Sequence, residues 1–119
     1  CEGASEQADA FIKGFQDYLN ADSEKLTNNG GNDVVSAVSA LGYDAYMVAI
    51  EAIKAAGSAD GEAIREALKT VSYEGVTGVI VFDENGDADK DTAYIKGVDN
   101  ATGEFTFVKM QTVADLENK

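Results

Sequence analysis

The chain of 119 residues contains no histidine, no proline and no tryptophan, one cysteine, and only 9 basic residues against 22 acidic ones. The missing histidine removes the commonest general base and the commonest transition-metal ligand, and with them every Ser-His or Cys-His dyad. Triad enzymes and the usual zinc enzymes are excluded on that ground. A single cysteine cannot close an internal disulfide, so cysteine usage says nothing about compartment. The net charge of -13 repels phosphate backbones and anionic lipid surfaces, so nucleic acid is not an expected partner. No apolar run approaches the length that spans a bilayer.

A hydrophobic content of 45% and 12 glycines are those of an ordinary globular protein. A chain of this size buries roughly 65% of its extended surface, enough for one core and not for two full domains. The acidic residues are spread evenly, which favours solubility through self-repulsion over a dedicated cationic ligand.

Ala8, Phe11, Ile12, Phe15, Tyr18 and Leu19 recur in steps of three and four, which predicts an amphipathic helix over about 5–20. The polar run from Asn20 to Asp33, with its Asn28-Asn29-Gly30-Gly31-Asn32 core, predicts a surface loop or lid. A second helix is expected over about 33–56, with Val34, Val38, Leu41, Ala45, Val48 and Ala52 on one stripe and Gly57 as its stop. Tyr46, Ile50 and Ile53 widen that stripe beyond half the circumference, which predicts a helix covered on two sides. Ser58 or Asp60 is placed to cap a third, short helix over about 60–70, with an acidic start and a basic end that suit the helix dipole. A three-strand β-meander at about 76–82, 92–98 and 104–110 follows, so the fold class is α/β with helices first and strands last.

The stretch FDENGDADKD invites comparison with a calcium loop, because Asp83, Asn85, Asp87 and Asp89 fall at the first, third, fifth and seventh positions of an EF-hand. The sharp turn at position six needs glycine and finds Ala88, and the bidentate glutamate of position twelve is replaced by Tyr94. The flanks read as strands rather than helices. The expected structure is a β-hairpin in which Asn85-Gly86 supplies both φ > 0 residues of a type I′ turn, and no metal or other cofactor is expected.

Among the carboxylates, Asp44 is the best candidate for a general acid, since it lies beside Tyr43 on the mostly apolar second helix. No second carboxylate stands at a fixed spacing from it, so a role facing solvent or capping a neighbouring loop is preferred, and no enzyme activity is expected. Gly75-Val-Thr-Gly78 lacks the following helix of a phosphate cradle and reads as a strand entry. Tyr43, Tyr46 and Tyr73 could stack on a ligand, although aromatic residues at such spacing usually belong to a core.

Taken together, the Tyr43-Asp44-Ala45 helix, the AIKAAGS turn, the EAIREAL helix and YEGVTG followed by FDENGD resemble the C-terminal third of branched-chain amino acid binding proteins of ABC transporters. These are type I periplasmic binding proteins. ADAFIKGFQDYL and AYIKGVDNATGEFTFVKMQ extend the resemblance over nearly the whole chain, with Gly61 standing where relatives often have proline. The resemblance implies a partial lobe. Residues 1–92 would follow a hinge near 1–4 and form part of the first lobe, and 93–119 would cross back from Ala93 to a final strand pair. It implies capture of a free amino acid between two lobes and delivery to the ABC permease subunits, outside the cytoplasm and without covalent chemistry. Val38 is the implied ligand-side contact, with Ser36 and Ser39 next; an ordinary core valine on the Val34-Val38-Leu41 stripe is an alternative of at least equal weight.

Cys1 is either the lipidated start of a mature lipoprotein or a point where a larger chain was cut. The near absence of a tether before the first helix favours the cut. The competing function is a structural, self-associating domain, a homodimer or an element-swapped assembly, because a partial lobe exposes helix faces and strand edges.

Overall fold

The computed structural model describes residues 3–117; the lipidation or cut site inferred at Cys1 lies outside them. Helix α1 spans Glu6–Asn20, α2 Ser23–Asn28, α3 Ala37–Ala56, α4 Gly61–Leu68 and α5 Ala114–Glu117. Strands β1 (Tyr73–Gly75), β2 (Gly78–Phe82) and β3 (Ala88–Asp89) form one antiparallel sheet in that order, and β4 (Thr92–Val98) and β5 (Phe105–Thr112) form a second. The chain divides into two compact units. One comprises residues 1–40 and 93–111, the other 41–92 and 112–119.

In the first unit, Ser5 caps α1 by accepting the Ala8 N–H at 3.1 Å. Phe11 and Phe15 stack at 5.7 Å on the face that buries Ala8 and Leu19. The polar run after Asn20 is not all loop. Asp22 accepts the Glu24 N–H at 2.9 Å and starts α2, a helix of six residues too short for periodicity to reveal. Asparagine side chains then order the remainder: Asn29 Nδ2 donates to the carbonyls of Asn32 and Val34, and Asn32 Oδ1 accepts the Val34 N–H. These bonds hold residues 32–34 out of helical geometry, so α3 begins at Ala37 and not at Asp33. The β4–β5 sheet closes through a loop in which the Asp99 carboxylate accepts the Ala101 N–H at 2.7 Å and Gly103 adopts φ 75°.

In the second unit, Asp44, Val48 and Ala52 repeat every fourth residue and form the buried line of α3, with Ile80 of β2 also buried. The expected cover on two sides is absent among the described residues. Leu41, Tyr43, Tyr46 and Ile53 are exposed, so Tyr43 and Tyr46 are not core residues here. Helix α3 ends where expected, at Ala56, with Gly57 at φ 60°. Of the two capping candidates, Asp60 caps α4, accepting N–H groups of Glu62 and Ala63 at 3.1 and 3.0 Å.

The strands lie close to their expected ranges but do not form one continuous meander. β2 pairs with the two-residue β3 across the Asn85-Gly86 turn, in the register Val81↔Asp89 and Phe82↔Ala88. β4 turns away to pair with β5. The turn itself is not type I′, because no residue other than glycine has a positive φ among the described residues. Gly86 alone takes the left-handed conformation, at φ 87°. The Asp83 carbonyl accepts the Gly86 N–H, and the Asp83 N–H donates to the Asp87 carbonyl, as in a three-residue hairpin loop.

Candidate functional site

Asp44 is fully buried, with 0% of its surface exposed, and is the sole charged residue buried among those described. Its position follows from the α3 stripe, which turns positions 44, 48 and 52 inward together. Opposite it lies the two-residue connection between β1 and β2. Oδ1 accepts the Val76 N–H at 2.8 Å, and Oδ2 accepts the Thr77 N–H at 2.7 Å and the Thr77 hydroxyl at 2.6 Å. Such charge-assisted bonds are short and about twice as strong as neutral ones, and they compensate the desolvation of the carboxylate.

Gly75 makes this approach possible. A Cβ there would stand 2.6 Å from the Asp44 carboxylate, closer than atoms can pack. Val76 and Thr77, expected to open the strand, are thereby the turn, and β2 starts at Gly78 with φ 102°. Tyr73 of β1 has its phenol pushed above the ordinary range, first by burial and then by the negative charges of Asp44 and its neighbours. With three donors converging on its two oxygens, Asp44 is a clamp on the YEGVTG turn. Of the roles weighed for it, capping a neighbouring loop is the one it performs.

The acid-rich turn is organised differently. Asp83 Oδ1 accepts the N–H groups of Asn85 and Asp87, both at 2.9 Å, and Asn85 Nδ2 reaches Oδ2 at 3.3 Å. These bonds, first of all that from the Asp87 N–H, hold the exposed Asp83 carboxyl below the usual aspartate range. No group of three acidic, cysteine or histidine residues converges to hold a metal among the described residues. The carboxylate serves the backbone of its own turn.

Ser36, Val38 and Ser39 sit together at the start of α3. Ser36 Oγ accepts the Val38 N–H at 3.2 Å and the Ser36 carbonyl accepts the Ser39 N–H at 3.0 Å, so Ser36 is spent on capping the helix. Val38 is 73% exposed and Val34 69%, which removes the reading of Val38 as a core valine in this chain. Ser39 is half-buried. The three residues therefore present a capped helix start with one apolar side chain open to solvent. A shallow, open cavity of about 250 Å³ lies elsewhere, lined by Tyr18, Leu19, Lys25, Asn28 and Asn29, and the Lys25 ammonium covers the Tyr18 ring at 3.9 Å. Sequence reasoning did not single out this cavity, because it depends on α2.

No helix among the described residues is long and apolar enough to cross a membrane. Residues 3–103 match the family described as periplasmic binding protein. A structure of the leucine-binding protein LivK from Thermotoga maritima superposes with a TM-score of 0.65 and 36% identity, covering 96% of this chain. The chain spans 29% of the length of that protein. No curated protein matches. The family match over residues 3–103, with the 36% identity over 96% of the chain, shows that the chain belongs to the periplasmic binding protein family.

Proposed function

We propose that this chain is the C-terminal segment of an extracytoplasmic solute-binding protein that captures a free amino acid, with a branched apolar side chain, for an ABC permease. The observation that carries the reading is the 36% identity to a leucine-binding protein over 96% of this chain. Binding is noncovalent: two lobes close on the solute, bury its side chain and satisfy its charged ends with hydrogen bonds. In this reading residues 1–92 contribute to one lobe, and Ala93 begins a crossing to the final strand pair. The contribution of the chain to the ligand is the start of α3. Val38 offers the apolar contact, and Ser36 and Ser39 frame it. Its 73% exposure supports this, since a ligand-facing side chain must be open before closure.

The test is isothermal calorimetry of the longer protein carrying this chain against leucine, isoleucine, valine and a panel of other amino acids. Saturable binding of a branched-chain amino acid is expected; no binding by any amino acid would remove the substrate assignment. The 119-residue chain alone should bind none of them measurably, as it spans 29% of the related binding protein.

A second reading, self-association of the chain when alone, is favoured by its open apolar side chains, among them Tyr46, Phe105 and Val108. Sedimentation at high concentration should then show dimers or larger species, and a stable monomer would refute it.

A further inference from the structure

The Asp44 clamp extends one step further, to Lys90. Lys90 Nζ lies 2.6 Å from Thr77 Oγ1 and 3.4 Å from the Thr77 carbonyl. A threonine hydroxyl carries one hydrogen, and here it points to Asp44 Oδ2 at 2.6 Å. The ammonium therefore donates to the hydroxyl oxygen, and the relay runs in one direction, Lys90 to Thr77 to Asp44. Among the described residues no salt bridge reaches Asp44 directly. Lys90 immediately precedes Asp91, whose carbonyl accepts the Val113 N–H at 3.0 Å, just beyond the end of β5. The relay thus joins a buried carboxylate to the Asp91–Val113 bond within the same unit.

We propose that Lys90 is a releasable latch, a positioning residue that holds the segment Lys90–Thr92 against the β1–β2 turn through the Thr77 hydroxyl. Its asymmetry is physical. The Lys90 side chain is exposed, so water replaces its bond at small cost, whereas the turn beneath keeps two backbone N–H donors and the hydroxyl on Asp44. Release frees the Lys90–Thr92 segment and its Asp91–Val113 bond while the YEGVTG turn stays closed. The latch works whichever solute the protein carries.

Amide hydrogen exchange on the full chain, followed by NMR, reads both ends. Lys90→Met should speed exchange of the Val113 amide at least about fivefold, leaving the Val76 and Thr77 amides unchanged. Thr77→Val, which keeps the backbone N–H and removes the bridging hydroxyl, should reproduce the Val113 effect, and Lys90→Arg should restore protection. An unchanged Val113 rate in Lys90→Met would overturn the proposal. Acceleration of Val76 and Thr77 in step with Val113 in Lys90→Met would also overturn it, since Lys90 would then be part of the turn's own support.

Discussion

Two turns flank β2, and each is organised by an aspartate that receives two backbone N–H groups. At the β1–β2 turn the carboxylate is Asp44, fully buried and 32 residues away in sequence from Val76. At the β2–β3 turn it is Asp83, exposed and only two and four residues from its donors. The chemistry is the same and the energetics are not. Removing Asp44 strands two donors in a partly buried turn, while removing Asp83 leaves exposed donors that water satisfies at once. The buried clamp ties a helix to a sheet; the exposed one shapes a few residues of backbone.

The largest effect should therefore come from Asp44→Ala, with a loss of about 4 kcal/mol in denaturant unfolding from two orphaned N–H groups, a lost hydroxyl bond and a cavity. Gly75→Ala should follow at about 2–3 kcal/mol, because its Cβ displaces the carboxylate from 2.6 Å. The double variant should cost less than the sum, since each change breaks the same bonds. At the other turn, Gly86→Ala should cost only about 1 kcal/mol, the strain of a side chain at φ 87°.

The effect of acid on the exposed turn is smaller still. The Asp83 carboxyl is held below its ordinary value of 3.8 in the folded chain, so its contribution is present above that value. It is lost as pH falls through the depressed one. Protection of the Asn85 and Asp87 amides should fade in that acid window, as an NMR titration would show. Val38→Ala should change stability by less than about 0.5 kcal/mol, as expected of a side chain 73% exposed.

The same contrast explains what the sequence disclosed. Local chemistry was legible: the stop at Gly57, the cap at Asp60 and a turn at Asn85-Gly86 follow from residues a few positions apart. The hydrogen-bond network of Asp44 was not, because a mid-helix aspartate on an apolar stripe reads alike whether its partner is water or a turn 32 residues on. Its one trace was polar: a carboxylate at the inward position of a line otherwise made of Val48 and Ala52. Short elements were invisible for another reason. β1, β3 and α2 have too few residues for a period, and they exist because Asp44, the hairpin and the Asp22 cap impose them. The split into two sheets likewise follows from β2 finding its partner in β3 before β4 begins. The capping role of Ser36 and the exposure of Val38 came from the structure.

The proposal that carries most weight is that the solute meets the start of α3 while the acid-rich turn serves the fold. Leucine titrations by calorimetry of the longer protein, with Val38→Asp and Asp87→Asn measured side by side, test it most directly. Val38→Asp should weaken binding at least about tenfold, as a charge desolvated against an apolar side chain, while Asp87→Asn should leave the affinity unchanged. Unchanged affinity in Val38→Asp, or a loss in Asp87→Asn, would contradict the account.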